Sequence, residues 1–164
     1  MSLEQVISGG QTGIDRMALE VARECKITTG GTAAKGFMTE NGPDYELVDF
    51  GLKEHQDEGY PPRTKQNVLD GDGTVMYGDI NSGGTRLTKQ YCIRFSRPYI
   101  ENPTPGQLNA FIADNAVKVL NVAGNRASKL ITQELERYRN IFRLSLEMNI
   151  RQSIYDKKGR GNRL

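Results

Sequence analysis

The chain has two cysteines and a single histidine in 164 residues, and these scarcities remove whole classes of chemistry. Cys25 and Cys92 lie too far apart in sequence to act as a metal-ligand pair, and two cysteines make no disulfide framework. A reducing, cytoplasmic setting is therefore expected, with no metal site. His55 sits in the charged run Lys53-Glu54-His55-Gln56-Asp57-Glu58, which reads as solvated loop rather than as the surroundings of a catalytic base. No serine, cysteine or histidine constellation for nucleophilic catalysis emerges, so no catalytic residue is assigned. Charge of one sign is also scarce, because 22 Lys and Arg face 20 Asp and Glu. A net charge of +2 gives no field that would favour nucleic acid or a membrane as partner. No stretch approaches the length needed to span a bilayer, and residues 1–6 lack a basic segment leading into an apolar run, so the protein is expected to be neither secreted nor membrane-spanning.

What is present points to one folded domain. The length suits a single core, and 37% hydrophobic with 26% charged residues is globular usage on the polar side. Residues 1–150 are expected to form that domain, and residues 151–164, which include Lys157-Lys158-Gly159-Arg160, a mobile basic tail. The 18 glycines are abundant and fall in clusters. Gln5-Val6-Ile7-Ser8 reads as a short strand, followed by Gly9-Gly10-Gln11-Thr12-Gly13 and then by Ile14, Met17, Ala18, Val21 and Ala22 at helical spacing.

The same grammar recurs twice. Thr74-Val75-Met76-Tyr77 leads into Asn81-Ser82-Gly83-Gly84-Thr85 and a helix over 86–95; residues 117–122 form a strand that runs into Ala123-Gly124-Asn125-Arg126 and a helix from about residue 129. Between them, Ile27-Thr28-Thr29 and Pro98-Tyr99-Ile100 read as further strands, and 63–69 and 107–112 as helices. Residues 30–62 break into loop, with only Tyr45-Glu46-Leu47-Val48 resembling a strand or turn. After residue 140 the pattern is ambiguous, because Leu135, Tyr138 and Phe142 are helically spaced while Phe142, Leu144, Leu146, Met148 and Ile150 alternate. The fold class is α/β: a Rossmann-like, mostly parallel sheet flanked by helices, in which three strands end in polar turns along one sheet edge, where such sheets bind ligands.

Glycines in those turns let backbone N–H groups approach an anion, with a helix N-terminus adding its dipole. The rival is that they only permit close packing. The P-loop pattern fails, because Ile14 stands where lysine belongs, and the dinucleotide fingerprint fails at Ser8, where its first glycine would be. Asp15 complements the helix dipole, and its neighbour Arg16 reads equally as a surface salt-bridge residue or a phosphate ligand. Lys35, Arg63 and Arg126 are cations in loops or turns, where function concentrates. Asp70-Gly71-Asp72-Gly73 lacks the downstream ligands of a calcium loop.

Ser8-Gly9-Gly10-Gln11-Thr12-Gly13-Ile14-Asp15-Arg16 resembles the opening signature of the family called putative molybdenum carriers, or YpsA-like proteins. Gly30-Gly31 with Lys35-Gly36, Glu40-Asn41-Gly42-Pro43, Arg63-Thr64 with Asn67-Val68, Asp72-Gly73-Thr74, Gly83-Gly84-Thr85 with Leu87-Thr88, and Asn121-Val122-Ala123-Gly124 follow in family order, over about residues 5 to 130. The resemblance implies a SLOG-type fold, akin to the lonely-guy proteins, that binds a phosphate-bearing nucleotide or pterin nucleotide, including molybdopterin (the molybdenum cofactor). It assigns phosphate to Gly9, Gly10, Gln11, Thr12, Gly13, Gly83, Gly84 and Thr85, with Lys35, Arg63 and Arg126 as charge partners. Asp15, Arg16, Asp72 and Gly124 complete the expected site.

Two departures are informative. Asn125 stands where members commonly carry proline, which is expected to do no more than loosen the turn. Arg86-Leu87-Thr88-Lys89-Gln90 replaces the segment in which related phosphoribohydrolases carry a catalytic glutamate. The expected function is thus binding of a small anionic ligand by a homo-oligomer. A nucleotide-processing hydrolase using Asp15 or Asp72, and a sponge that sequesters a nucleotide signal, are the alternatives. Replacing Gly10 by valine is expected to abolish binding and leave the fold intact.

Overall fold

The computed structural model describes residues 2–161. Strand β1 (Gln5–Ile7) is followed by helix α1 (Ile14–Glu24), β2 (Thr28–Ala33), a small hairpin of β3 (Met38–Thr39) and β4 (Gly42–Pro43), β5 (Leu52–Glu54), α2 (Tyr60–Asp70), β6 (Gly73–Tyr77), α3 (Gly83–Arg94), β7 (Tyr99–Glu101), α4 (Pro105–Asp114), β8 (Val119–Gly124) and α5 (Thr132–Gly161). Six strands form one parallel sheet in the order β5-β2-β1-β8-β6-β7. The antiparallel hairpin β3-β4 stands apart from it. No helix among the described residues is long and apolar enough to cross a membrane.

The order has a simple logic. If β8, the last strand, were moved to the front, the sheet would wind outward in both directions from it, through β1, β2 and β5 on one side and β6 and β7 on the other. The winding therefore reverses between β8 and β6, the crevice at which open α/β sheets hold ligands. The three glycine-bearing strands β1, β8 and β6 are adjacent at the centre of the sheet.

The two faces of the sheet differ in chemistry. Val6, Val75, Tyr77, Leu120 and Val122 pack with Ile14, Met17 and Val21 of α1, Leu108 and Ile112 of α4, and Phe142 and Leu146 of α5. The helix spacing of those residues is what orients α1, α4 and α5 on this side. Toward α2 and α3 many buried side chains are polar, Thr74, Asn121, Thr64, Asn67, Thr85 and Thr88, with Val68 and Cys92 among them. The Asn67 amide donates to Thr32 O and accepts from Thr32 N–H, both at 2.8 Å, fastening α2 to β2. Asn121 donates to Thr74 Oγ1 at 3.2 Å.

The loop expected over 30–62 contains more structure than its composition suggested. β2 runs on to Ala33, Tyr45–Val48 is a 3-10 turn, and β5 adds an edge strand. The ambiguity after residue 140 resolves as helix: Phe142 and Leu146 face the core while Leu144 and Met148, of the same alternating run, face solvent. Arg139 and Arg143 tie this helix to Glu20 and Glu24 of α1 at 3.1 and 2.6 Å. α5 continues unbroken past residue 150 to Gly161, so no change of structure marks the boundary expected between domain and tail, and residues 157–161 are helical rather than irregular. Residues 162–164 of that tail lie outside the described residues.

Candidate functional site

A cavity of about 500 Å³ opens at the carboxyl ends of β8 and β6, within the size range of small-molecule sites. Gln11 and Asp15 come from the first turn and α1, Tyr60, Arg63 and Thr64 from α2, Ser82, Gly83, Gly84, Thr85 and Thr88 from the start of α3, and Gly124, Asn125, Arg126 and Lys129 from beyond β8. Of the residues expected from the sequence, Gln11, Asp15, Arg63, Gly83, Gly84, Thr85, Gly124 and Arg126 meet here.

The first glycine turn serves the fold. Its Gly10 N–H donates to Ser8 Oγ at 3.3 Å, Gln11 N–H to Asp15 Oδ2 at 3.2 Å and Thr12 N–H to Gln11 Oε1 at 3.0 Å, so these three donors are satisfied by the protein's own oxygens. The N-terminus of α1 is likewise engaged, with Ile14 N–H donating to Asn125 O at 3.2 Å and Arg16 N–H to Gln11 O at 3.1 Å. Gly10 has φ +71°, and a Cβ there would lie 2.7 Å from a Leu47 methyl in the core. A Cβ at Gly13 (φ +83°) would lie 2.4 Å from Asn125 O, and one at Gly9 would enter the Arg63 guanidinium. Close packing explains these glycines. The expectation that Gly10→Val spares the fold is thereby overturned, since Gly10 is buried against Leu47 and Leu52.

The second turn has the opposite character. Added Cβ atoms at Gly83 and Gly84 would meet nothing within 4 Å, and the N-cap residue Ser82 makes no side-chain cap to α3. The first-turn residues Gly83, Gly84 and Thr85 of this 12-residue helix line the cavity, so the positive end of its dipole lies at the cavity wall.

Arg63, Arg126 and Lys129 face a single carboxylate in the cavity, Asp15. Asp15 is 3% exposed, and Arg63 Nη1 lies 3.6 Å from it. Burial pushes the Asp15 pKa up, opposed by the Arg63 charge and by the backbone N–H groups of Gln11 and Gly9. Arg63 Nε is buried without a partner. It adjoins a second, polar hollow of about 10 Å³ lined by Asp15, Asn67, Thr88 and Asn121, which is water-sized. Tyr60 lies near two cations, its ring centre 5.7 Å from the Arg63 guanidinium and 5.8 Å from that of Arg126.

Two devices hold the loops. The Asn125 side chain accepts from Asp79 N–H at 2.6 Å and donates to Asp79 O and Ser82 Oγ at 3.1 Å, joining the turn after β8 to the turn before α3. Asn125 therefore tightens this region, contrary to the loosening expected from the loss of proline. Glu40, at the tip of the β3-β4 hairpin, accepts from Thr12 Oγ1, Ser128 Oγ and, at 3.1 Å, Ser128 N–H. Burial would raise the Glu40 pKa, but the Ser128 and Thr12 hydrogen bonds outweigh it and hold the carboxylate below its ordinary range.

The remaining expected residues lie elsewhere. Arg16 is taken up by Asp44 and Glu46, both at 2.6 Å, and by Glu20 at 3.3 Å. Lys35 pairs with Glu58 at 2.9 Å. Asp72 accepts from Lys118 and Val119 N–H at 3.0 and 2.8 Å, at the opposite end of the sheet. Thr12 sits in the Glu40 clamp, and Gly9 lines only the small hollow. Sequence reasoning missed Tyr60, Ser82, Thr88 and Lys129. The run Gly59-Tyr60-Pro61-Pro62-Arg63 was the available signal, an aromatic and a cation placed by prolines at the first turn of a helix.

A family model described as the circularly permutated YpsA SLOG family matches residues 6–142. The chain is similar to a protein of known structure from Syntrophus aciditrophicus SB named Putative molybdenum carrier protein, with 32% identity and a TM-score of 0.74 over 89% of this chain and 94% of that one. A second structure, the E-1-hydroxy-2-methyl-but-2-enyl-4-diphosphate reductase from Plasmodium falciparum, gives a TM-score of 0.33 at 12% identity over 88% of this chain and 55% of that one, a likeness too slight to carry an argument. No curated protein matches the chain. The strand order, in which the last strand occupies the place of the first in a simple doubly wound sheet, accords with a permuted family. The chain belongs to the circularly permutated YpsA SLOG family.

Proposed function

We propose that the protein binds a phosphate-bearing, nucleotide-like small molecule in the cavity between β8 and β6 and releases it unaltered. One observation carries this reading: the open N-terminus of α3 at Gly83-Gly84-Thr85 faces the same space as Arg63, Arg126 and Lys129. An anion there would meet backbone donors, a helix dipole and an excess of cations. In this reading the phosphate sits at the second glycine turn, which is supported by the internal hydrogen bonds of Gly10 and Gln11 in the first.

A molybdenum-carrier role is supported by the name of the Syntrophus protein. Molybdopterin suits the cavity chemically, through its phosphate at the α3 terminus and its flat ring beside Tyr60. Among the described residues no group of three His, Cys, Asp or Glu could hold a metal ion. Exposed Leu144, Met148 and Tyr155 on α5 support a homo-oligomer.

Native mass spectrometry of the protein with nucleotides, cyclic nucleotides, ADP-ribose derivatives and molybdopterin, followed by chromatography of what is released, tests the proposal. Unaltered ligand is expected. A cleaved product would replace the carrier reading with a hydrolase, and absence of any complex would refute the site.

A further inference from the structure

The cavity has a wall as well as a charged end. Tyr60 is placed by Gly59, whose φ of +88° turns the chain into α2, and is followed by two prolines that fix the backbone at the first turn. The ring is half-buried and lines the cavity with Pro61 and Leu87. Its two guanidinium neighbours stand 5.7 and 5.8 Å from the ring centre, at the outer reach of a cation–π contact. Arg23 over Phe50, at 3.4 Å, is the tightest of the guanidinium–ring contacts among the described residues, and Arg94 beside Phe95, at 5.6 Å, is as loose as the two at Tyr60. The Tyr60 ring thus has two guanidinium neighbours, neither in tight contact with it.

We propose that Tyr60 is the stacking residue of the cavity, selecting ligands in which a flat heteroaromatic ring and one phosphate belong to the same small molecule. The inference rests on the reading of the cavity as an anion site, and adds the ring, the size and the residue that reads them. Three features converge on that ligand class. The apolar wall of Tyr60, Pro61 and Leu87 suits a ring face, which stacks on an aromatic side chain whatever its edge pattern. Arg63 and Arg126 lie beside the Tyr60 ring and line the same cavity as Gly83-Gly84-Thr85, so ring and phosphate of one ligand would both meet them. A volume of about 500 Å³ suits a mononucleotide and is small for a dinucleotide. With three cations against Asp15, the cavity carries an excess of two positive charges if Asp15 is ionised, matching a phosphate dianion.

A purine mononucleotide and a pterin phosphate share this chemistry, and titration calorimetry separates them. The probes are AMP, GMP, neopterin phosphate, ribose 5-phosphate and inorganic phosphate, with the full chain and with Tyr60→Leu and Tyr60→Phe. At least one ring-bearing phosphate is expected to bind about ten-fold tighter than ribose 5-phosphate. Tyr60→Leu should erase most of that ratio while ribose 5-phosphate affinity stays within about two-fold, and Tyr60→Phe should preserve it, since stacking needs the ring and not the hydroxyl. The stronger of the nucleotide and pterin arms names the source. Equal binding of ring-bearing and ringless phosphates by the wild type, or an unchanged ratio in Tyr60→Leu, overturns the inference and leaves the anion site standing. Failure of every probe, inorganic phosphate included, overturns both.

Discussion

At the scale of single residues, glycines with similar sequence settings do opposite jobs. Gly10 is in the left-handed region and sealed against Leu47, whereas Gly84 has open space where its side chain would be. Gly10→Ala is therefore expected to destabilise the fold by about 1–3 kcal/mol through overpacking and backbone strain, lowering the thermal midpoint; an unchanged midpoint would contradict the packing role. That difference could not be read from the sequence, because both residues stand in glycine clusters between a strand and a helix. What decides is whether a side chain from elsewhere fills the space, and Leu47 and Leu52 are distant in sequence. The same limit explains Arg16, whose carboxylate partners Asp44 and Glu46 lie about one loop away. Of the three cations expected in loops or turns, Arg63 and Arg126 line the cavity, Arg63 from within α2, whereas Lys35 pairs with Glu58.

At the scale of elements, the strand–turn–helix units were readable because their apolar spacing changes from continuous to helical within a few residues, as it does from Val6 to Val21. β5 was not readable, since a three-residue edge strand with Lys53 and Glu54 carries no such pattern. The hairpin of β3 and β4 was visible only as motif residues, yet Glu40 at its tip binds the first glycine turn to the turn after β8. Because the Glu40 pKa is lowered in the folded state, its contribution is present above its ordinary value of 4.5 and is lost as pH falls through the lowered folded value. Melting curves of wild type and Glu40→Gln should differ at neutral pH and converge as the pH is lowered below 4.5. A difference independent of pH would show that the charged form is irrelevant to the clamp. α5 was ambiguous in sequence because its inner residues Phe142 and Leu146 and its outer residues Leu144 and Met148 are all apolar. That outward apolarity carries the expectation of a homo-oligomer, so sedimentation should show a mass that is a multiple of 18.3 kDa. Leu144→Glu combined with Met148→Glu should shift it to monomer, and a wild-type monomer at every concentration would reject the expectation.

At the scale of the whole molecule, three neighbouring strands, β1, β8 and β6, were foreseen to end at one sheet edge, and they do. The permutation was not foreseeable, because strand order depends on where β8 inserts and no local pattern encodes that. Its consequence is that the winding reverses between β8 and β6, where the cavity lies, and the proposed phosphate position is accordingly the second of the two glycine turns expected to hold it. Gly84 offers the cleanest access to this claim, since a side chain there meets no protein atom within 4 Å and projects beside the first-turn donors of α3. The decisive measurement is the affinity of wild type and Gly84→Leu for the phosphate ligand identified by native mass spectrometry, taken with their melting temperatures. The account predicts an unchanged melting temperature and at least about ten-fold weaker binding; equal affinity in a folded Gly84→Leu protein would contradict it.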